Sequence, residues 1–411
     1  MKCRHCSCDL KYRFLDLGYA PPSNAYLKAE DLHKASLHFP LRILLCETCW
    51  LVQTEDYAAP EELFSSAYAY FSSFSASWVA HAERFVRQSI KRFELTKSSF
   101  VVELAANDGY LLQFVKNAGI PCLGVEPTAS TARVARSLGI EIEESFFGVD
   151  CAQKLLGRRG GADLIVANNV LAHVPDINDF VSGVSLLLKS DNSVAVFEFP
   201  HLCNLIGSGQ FDTVYHEHYS YLSLFSVNQV FKSNGLEIFD VEEISTHGGS
   251  LRVYAQRALS GGFQVSGVVN NLLARELSLG INKISYYSGF QDCAERVKND
   301  FISFLIEAKH SGKKVAAYGA AAKGNTLLNF AGLKTDLIKF VVDKNPAKQG
   351  LFLPGSCIPI VPEDHLIVEQ PDFVVVFPWN LIDEVSSQLQ YVRAWGGKLV
   401  TAVPQLKVFD E

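Results

Sequence analysis

The stretch VVELAANDGYLL at residues 101–112 has the pattern of a β-strand, a tight turn and the start of a helix. The strand ends on an acid, Glu103, and the turn contains Asn107 and a single glycine, Gly109. Turns that bind dinucleotides have the spacing GxGxxG, which lets the backbone approach a pyrophosphate closely. Because this turn has one glycine, we expect it to bind a nucleoside cofactor without phosphates. S-adenosylmethionine (SAM) has that form.

Five apolar segments between residues 98 and 200 alternate with helical patterns: FVVELA, CLGVEP, IEIEES, ADLIVANN and SVAVFEFP. This alternation predicts an α/β fold with a doubly wound parallel sheet, which binds ligands at the carboxyl ends of its strands. Glu103, Glu126 and Glu198 stand at or near such ends. Glu126 follows the first turn by about 20 residues, where a carboxylate can accept hydrogen bonds from both ribose hydroxyls. This pairing favours SAM over NAD, which stays the alternative cofactor.

Two CxxC pairs occupy the first 60 residues, Cys3/Cys6 and Cys46/Cys49. Four thiolates in this spacing can surround a tetrahedral Zn²⁺ ion, and a closed site of this kind stabilises folding rather than catalysing a reaction. Cys8 is an alternative ligand to Cys6, and a redox dithiol is an alternative to zinc. The long segment between the pairs is expected to contain its own strands, for example around LRILLC.

The composition of the chain bounds its class. Its length of 411 residues suggests two or three folded domains. A content of 48% hydrophobic and 20% charged residues is ordinary for a globular protein. A formal net charge of -7 argues against a large nucleic-acid-binding surface. No apolar run is long enough to span a bilayer, and the first residues are polar. The single cysteines are scattered as in reduced proteins, so we expect a cytoplasmic protein with no membrane partner.

Titratable and phenolic side chains cluster in YHEHYSY, Tyr215 to Tyr221. Two strand patterns follow, GLEIFDVEEI and SLRVYAQR, which can form an antiparallel sheet edge joined by a turn-rich loop containing His247 and Gly248. Residues 265–310 are then predicted to form a helical connector.

A second αβ unit begins at Lys313 with the strand KKVAAYG, a loop over residues 319–325 and a helix over TLLNFAG. Lys323 precedes the second glycine of the loop instead of following it, so the loop is not a Walker A motif. A glycine-rich loop that opens onto a helix can still bind the diphosphate of a substrate. A βα turn without a ligand is one alternative. Another is an NAD-dependent dehydrogenase with Asp343 on the ribose, which the GxxxxG spacing opposes.

Taken together, these motifs resemble the sugar C-methyltransferases that act on nucleotide-linked deoxy-keto-sugars, such as the dTDP-sugar 3-C-methyltransferases. The resemblance covers essentially the whole chain. It runs through the CxxC pairs, YFSSFSASWVAHA, ELAANDGYLL, GVEPT, NNVLAHVPD, FEFP, YHEHYSY, HGGSLRV and YGAAAKGNTLLNF. One departure is Ala105, where the family often has glycine in the SAM turn.

The resemblance implies a reaction in which a base removes the proton beside a ketone and the enolate carbon attacks the methyl group of SAM. The base is expected to be His218, with His216 as the competitor. Glu217 is expected to hold a sugar hydroxyl or orient the base, and Tyr215 to donate to the developing enolate. Histidine suits this role because its usual pKa leaves it neutral at cellular pH.

The resemblance also implies roles for residues outside YHEH. His173 and Tyr70 are expected at the reaction centre. The residues expected to bind SAM are Glu103, Ala105, Asn107, Gly109, Glu126, Asn168 and Asn169. Those expected to bind the substrate are His247, Gly248, Lys323, Asn325 and Asp343. Tyr219 and Tyr221 are expected to line the pocket.

The predicted organisation is a zinc-binding module at 1–60, a Rossmann-like SAM methyltransferase domain at 61–260 with a helical lead-in at 61–97, and a connector with a second Rossmann-like domain at 261–411. We expect a monomer whose partner is a nucleotide-linked keto-deoxysugar. Methylation of oxygen or nitrogen and a nucleic-acid-binding zinc ribbon are the remaining alternatives.

Overall fold

The computed structural model describes residues 1–57 and 71–410, in which three β-sheets are surrounded by helices. The strands are β1 (Tyr12–Ala20), β2 (Phe39–Leu45), β3 (Val52–Thr54), β4 (Val101–Leu104), β5 (Cys122–Val125), β6 (Glu141–Glu143), β7 (Leu164–Asn168), β8 (Val194–Pro200), β9 (Ser220–Tyr221), β10 (Leu236–Ile244), β11 (Ser250–Arg257), β12 (Val315–Tyr318), β13 (Val341–Val342), β14 (Ile360–Val361), β15 (Phe373–Val376), β16 (Lys398–Thr401) and β17 (Lys407–Phe409). The α-helices are α1 (Ala76–Arg92), α2 (Leu112–Asn117), α3 (Ala129–Ser137), α4 (Val149–Arg159), α5 (Ile177–Leu187), α6 (Leu202–Gly207), α7 (Leu224–Ser233), α8 (Gly267–Leu279), α9 (Ile284–Tyr287), α10 (Phe290–His310), α11 (Ala322–Phe330), α12 (His365–Glu369) and α13 (Ile382–Gln388).

The central sheet has seven strands in the order β6-β5-β4-β7-β8-β11-β10. Strands β4 to β8 are parallel, and β11 pairs antiparallel with both β8 and β10. Strands such as LIVAN are buried along their whole length, as expected where helices cover both faces of a parallel sheet. The predicted doubly wound sheet and its antiparallel edge are therefore confirmed.

The C-terminal sheet has six strands in the order β14-β13-β12-β15-β16-β17, parallel except for β17. This is the strand order of dinucleotide-binding sheets. The prediction was wrong about where the following helix begins: α11 starts at Ala322, so Lys323 and Asn325 lie in its first turns rather than in a loop. Gly324 explains the error, because a Cβ there would lie 2.5 Å from the Phe377 ring. This glycine allows the helix to pack closely on the sheet and does not mark the end of a loop.

The N-terminal sheet has the order β1-β2-β3-β9 and is antiparallel. The strand predicted around LRILLC is β2, whereas β1 was not predicted. Strand β9 comes from the YHEHYSY segment and pairs with β3, with Val52 opposite Tyr221 and Gln53 opposite Ser220. The zinc-binding module and the methyltransferase domain therefore share a sheet.

The helical connector is confirmed as α8, α9 and α10. It packs on the N-terminal sheet, where the rings of Phe14 and Phe290 stack with centroids 4.8 Å apart. The same buried apolar cluster continues into the C-terminal sheet through Ala317 and Val341. Among the described helices, none has the length and apolar character needed to cross a membrane.

Candidate active site

The four cysteines of the CxxC pairs converge on one point. Their ligand atoms all lie within 4.8 Å of one another, and the Cys3–Cys49 and Cys6–Cys46 sulfur distances are both 3.5 Å. Four thiolates bound to zinc at about 2.3 Å would have sulfurs roughly 3.8 Å apart, so this donor set fits a zinc ion. Cys6 belongs to this cluster and Cys8 does not, so Cys6 is the better candidate for the fourth ligand.

Acids and amides line the carboxyl edge of the central sheet. Glu126 follows β5, is buried, and accepts hydrogen bonds from the backbone amides of Asn107 and Thr128, both at 2.9 Å. Burial raises the pKa of Glu126. Asn168, at the end of β7, has a buried side-chain amide without a partner among residues 1–57 and 71–410, and so has Asn169.

Glu103, in β4, is a second buried acid of this edge. Burial, followed by the charge of Asp108, raises its pKa well above the usual range. Tyr110 and the Leu112 backbone amide interact with this carboxyl group and offset part of the rise. The orphaned groups of this edge, within the described part of the chain, are the side-chain amides of Asn168 and Asn169. Orphaned polar atoms at the edge of a sheet indicate a polar ligand, since buried polar groups are otherwise almost always satisfied. The donors and acceptors present therefore fit SAM.

The turn between β4 and α2 is built from left-handed backbone. Its left-handed positions are Ala105 (φ 55°), Asn107 (φ 49°) and Gly109 (φ 82°). Ala105 thus occupies a conformation that glycine adopts freely and that costs other residues about 1–2 kcal/mol. The turn keeps this conformation although the glycine typical of the family is missing.

Residues before α1 cover this turn. The backbone amide of Ser72 donates to the Asn107 side chain at 2.9 Å, and that of Ser73 donates to Asp108 at 3.0 Å. These contacts place Ser72 and Ser73 over the cofactor turn. Tyr70 lies outside the described residues, so its predicted role stays a prediction.

Sequence reasoning missed a polar network beside the turn. The buried Glu198 carboxylate, in β8, contacts His81 at 2.9 Å, Arg252 at 3.1 Å and the Thr246 hydroxyl at 3.0 Å. Burial opposes the charge of Glu198, but His81 and Arg252 outweigh it and lower the pKa of Glu198. His81 also stacks on Trp78, with ring centroids 4.9 Å apart. Trp78 and His81 are three residues apart in α1, and this spacing could have predicted from the sequence that their rings meet on one face of the helix.

His218 lies at the centre of the YHEH cluster. One ring nitrogen, Nδ1, is 2.9 Å from the Thr213 carbonyl oxygen, so Nδ1–H donates and Nε2 carries the lone pair. The rings of Tyr215 and His173 lie 3.9 and 4.6 Å from the His218 ring, between centroids. Burial, then the neighbouring His173, lowers the pKa of His218 well below its usual value. The imidazole is therefore neutral at cellular pH.

The other predicted residues of this cluster separate into two groups. His173 Nδ1 bonds the Glu217 carbonyl oxygen at 2.7 Å, and burial lowers the pKa of His173 to about 4. Glu217 is buried, and burial raises its pKa. His216 instead faces β2: its Nε2 is 3.2 Å from the Pro40 carbonyl oxygen and its ring packs edge-on against Phe39. His216 is thus a packing residue.

Lys323 reaches from α11 toward the central domain. Its Nζ donates to Asn380 at 2.7 Å and lies 4.3 Å from the centroid of the Trp379 ring. Burial lowers the pKa of Lys323 to about 8, although Asp212 opposes the shift. Trp379 in turn donates to Asp212 at 2.7 Å. This cluster joins the central and C-terminal domains.

The HGGS loop packs against that cluster. His247 is left-handed (φ 54°), and burial followed by the charge of Lys323 lowers its pKa to about 4. A Cβ on Gly248 would lie 2.5 Å from Trp379, so the loop approaches closely because this residue is glycine. His247 and Gly248 are therefore near Lys323, as their shared predicted role requires.

Asn325 and Asp343 already have partners within the protein. The Asn325 side-chain amide donates to the Ser23 carbonyl oxygen at 2.6 Å. The two oxygens of Asp343 accept from the backbone amides of Ala320 and Asn345, both at 2.8 Å. In this arrangement Asp343 and the Asn325 amide group hold loops in place, whereas Asn325 Oδ1 is buried without a hydrogen-bond partner among the described residues.

The fold and the site define a SAM-dependent methyltransferase with a zinc-binding module. Three family models match the chain: "Putative zinc binding domain" at residues 3–64, "Methyltransferase domain" at residues 78–241 and "C-methyltransferase C-terminal domain" at residues 245–404. C-methyltransferase NovU from Streptomyces niveus is 34% identical over 409 residues, which is 100% of this chain and 97% of that protein. The chain therefore belongs to this family of SAM-dependent C-methyltransferases.

Solved structures show weaker likenesses. Magnesium protoporphyrin IX methyltransferase from Synechocystis PCC 6803 has a TM-score of 0.33 at 15% identity, over 44% of this chain and 79% of that chain. A SAM-dependent methyltransferase from Clostridium acetobutylicum has a TM-score of 0.35 at 12% identity, over 44% of this chain and 92% of that chain. At such TM-scores neither likeness adds to the assignment.

Proposed function

We propose that this C-methyltransferase adds a methyl group to C-3 of a nucleotide-linked 4-keto-6-deoxy sugar, in deoxysugar biosynthesis. The observation that carries the proposal is the imidazole of His218. Its Nδ1–H is committed to the Thr213 carbonyl group, which leaves Nε2 as a base, and burial keeps the ring neutral. A neutral base is what the removal of a proton beside a ketone requires.

In the proposed reaction His218 Nε2 takes the proton from the carbon next to the keto group. Tyr215, whose ring lies against that of His218, donates to the enolate oxygen as negative charge develops there. Glu217, with its raised pKa, is suited to hold a sugar hydroxyl. Bound SAM supplies the electrophilic methyl group. Glu126 would hold its ribose, while Glu103, Asn168 and Asn169 would bind its remaining polar groups.

The C-terminal domain would bind the nucleotide part of the substrate. Lys323 is suited to this because its ammonium group lies where the central and C-terminal domains meet, beside His247. Asn325 and Asp343 would act by shaping the loops around it. Binding energy from a remote nucleotide can orient a small sugar ring, which explains the need for a second Rossmann-like domain.

The test of the proposal is product analysis with SAM and a panel of 4-keto-6-deoxy nucleotide sugars. The expected product gains one methyl group on carbon, detected by mass and NMR. In deuterated water without SAM, the acceptor carbon should exchange its hydrogen. A product methylated on oxygen or nitrogen would overturn the proposal, as would transfer to a sugar that has no ketone beside the acceptor carbon.

Replacing Glu126 with glutamine is expected to weaken SAM binding roughly 10- to 150-fold, because a charge-assisted hydrogen bond is worth about 1.5–3 kcal/mol. Isothermal titration calorimetry with SAM measures the change. Glu141→Gln is the control, since Glu141 is an exposed acid of the same sheet, paired with Arg159. Equal SAM affinity in both variants would remove Glu126 from the site.

A further inference from the structure

The zinc-binding module contacts the segment that carries the proposed base. Strand β3, which follows the second CxxC pair, pairs with β9 immediately after YHEH. Thr54, the last residue of β3, is buried and uses both of its donors on this segment. Its backbone amide donates to the Tyr219 carbonyl oxygen at 3.1 Å, and its hydroxyl donates to the carbonyl oxygen of His218. The backbone of His218 is thus fixed from the zinc-binding module.

The two residues before His218 are held by the same module. The Asn24 side-chain amide donates to Glu217 Oε1 at 3.1 Å. Glu217 Oε2 is buried and has no hydrogen-bond partner in the described portion of the chain. The bond from Asn24 therefore leaves Oε2 as the oxygen that can serve a ligand. Because His216 bonds Pro40, three consecutive residues of YHEH each contact a different part of the module.

Arg4 connects these contacts to the zinc site itself. It lies inside the first CxxC pair, and its guanidinium donates to the carbonyl oxygens of Thr54 at 3.1 Å and Pro175 at 2.7 Å. The guanidinium also lies 5.1 Å from the centroid of the Tyr219 ring. A continuous set of polar contacts thus runs from the first CxxC pair to Thr54 and on to His218.

We infer that the zinc-binding module is part of the catalytic apparatus, with Thr54 and Asn24 as positioning residues for His218 and Glu217. The inference rests on the proposed function, since it takes His218 as the base. The Thr54 hydroxyl fixes the backbone carbonyl of His218. The Thr213 carbonyl oxygen holds Nδ1 of the imidazole ring. His218 is therefore constrained at both its backbone and its side chain. A base displaced by about 1 Å can cost about 10²-fold in rate, so the loss of one such constraint is measurable.

The experiment uses the full-length, zinc-loaded protein and two substitutions of one residue. Thr54→Val removes the hydroxyl while keeping the shape, and Thr54→Ser keeps the hydroxyl. Thr54→Val is expected to lower kcat about 10- to 100-fold, with SAM affinity and zinc content unchanged. Thr54→Ser is expected to restore kcat. Thr335→Val, at an exposed threonine, is the control for the substitution itself.

A kcat in Thr54→Val equal to that of the wild type would overturn the inference, and so would a loss that Thr54→Ser fails to restore. Should Thr54→Val not fold, Asn24→Ala decides: reduced kcat at unchanged SAM affinity and zinc content supports the inference, and unchanged kcat overturns it. His218→Ala in the same assay separates the role of His218 as the base from the positioning roles of Thr54 and Asn24. If His218→Ala stays active, the assignment of His218 as the base fails and the inference fails with it; if it is inactive and the Thr54 and Asn24 variants match the wild type, the inference alone fails. The proposed function itself is tested separately, by the product analysis with SAM and the nucleotide sugars.

Discussion

Replacing His218 with alanine is expected to lower kcat by about 10²–10⁴-fold, the usual contribution of a positioned general base. The affinity for SAM should not change, because the acids and amides at the edge of the central sheet belong to other strands. Single-turnover rates and calorimetry with SAM separate the two quantities. The same variant should lose hydrogen exchange at the acceptor carbon, because that exchange needs the base and not the methyl group. Near-normal turnover in His218→Ala would remove His218 from the mechanism.

The neighbouring histidine provides the matched control. His216 bonds the Pro40 carbonyl and packs on Phe39, so His216→Ala is expected to lower stability and to retain most of the turnover per folded molecule. The pH dependence gives a second check on His218. Because its pKa is lowered, the neutral form persists to more acidic solution, and the acid limb of kcat should lie below the ordinary histidine pKa of about 6.5. An acid limb above that value would contradict the assignment.

The parts of the site that sequence could predict are those that depend on local chain geometry. Glu103 and Glu126 end parallel strands, and the ends of such strands meet at one edge whatever the rest of the fold does. The CxxC pairs likewise prescribe a zinc site, because each pair turns both sulfurs toward one point. The periodicity of the chain therefore sufficed to predict the central sheet and the edge at which these acids lie.

The rest depends on contacts between distant segments. Strands β3 and β9 are short and lie far apart in the chain, and they pair with each other. Neither strand has a sequence pattern from which its pairing partner could be predicted. The start of α11 was misplaced because Gly324 looks like a loop residue, whereas its function is close packing on Phe377. His216 and His218 have similar sequence surroundings, and packing against Phe39 distinguishes them.

Replacing Cys46 with serine is expected to remove zinc and to lower the melting temperature by at least about 5 °C, since structural zinc sites contribute roughly 10 kcal/mol or more of binding free energy. Metal analysis and calorimetry measure these changes. Cys8→Ser is the control, because Cys8 lies beside the first pair but outside the four-sulfur cluster, and it should keep its zinc. Loss of zinc in Cys8→Ser and not in Cys46→Ser would contradict the ligand set.

The loss of zinc should also lower kcat. The loop from Cys46 to Cys49 leads directly into β3, and Thr54 at the end of β3 bonds the backbone of His218. A Cys46→Ser protein that is still folded below its lowered melting temperature should therefore bind SAM and lose kcat. SAM binding depends on the carboxyl edge of the central sheet, where each acid is held by its own strand. Unaltered kcat in a folded, zinc-free variant would show that the methyltransferase domain orders YHEH without help from the zinc-binding module.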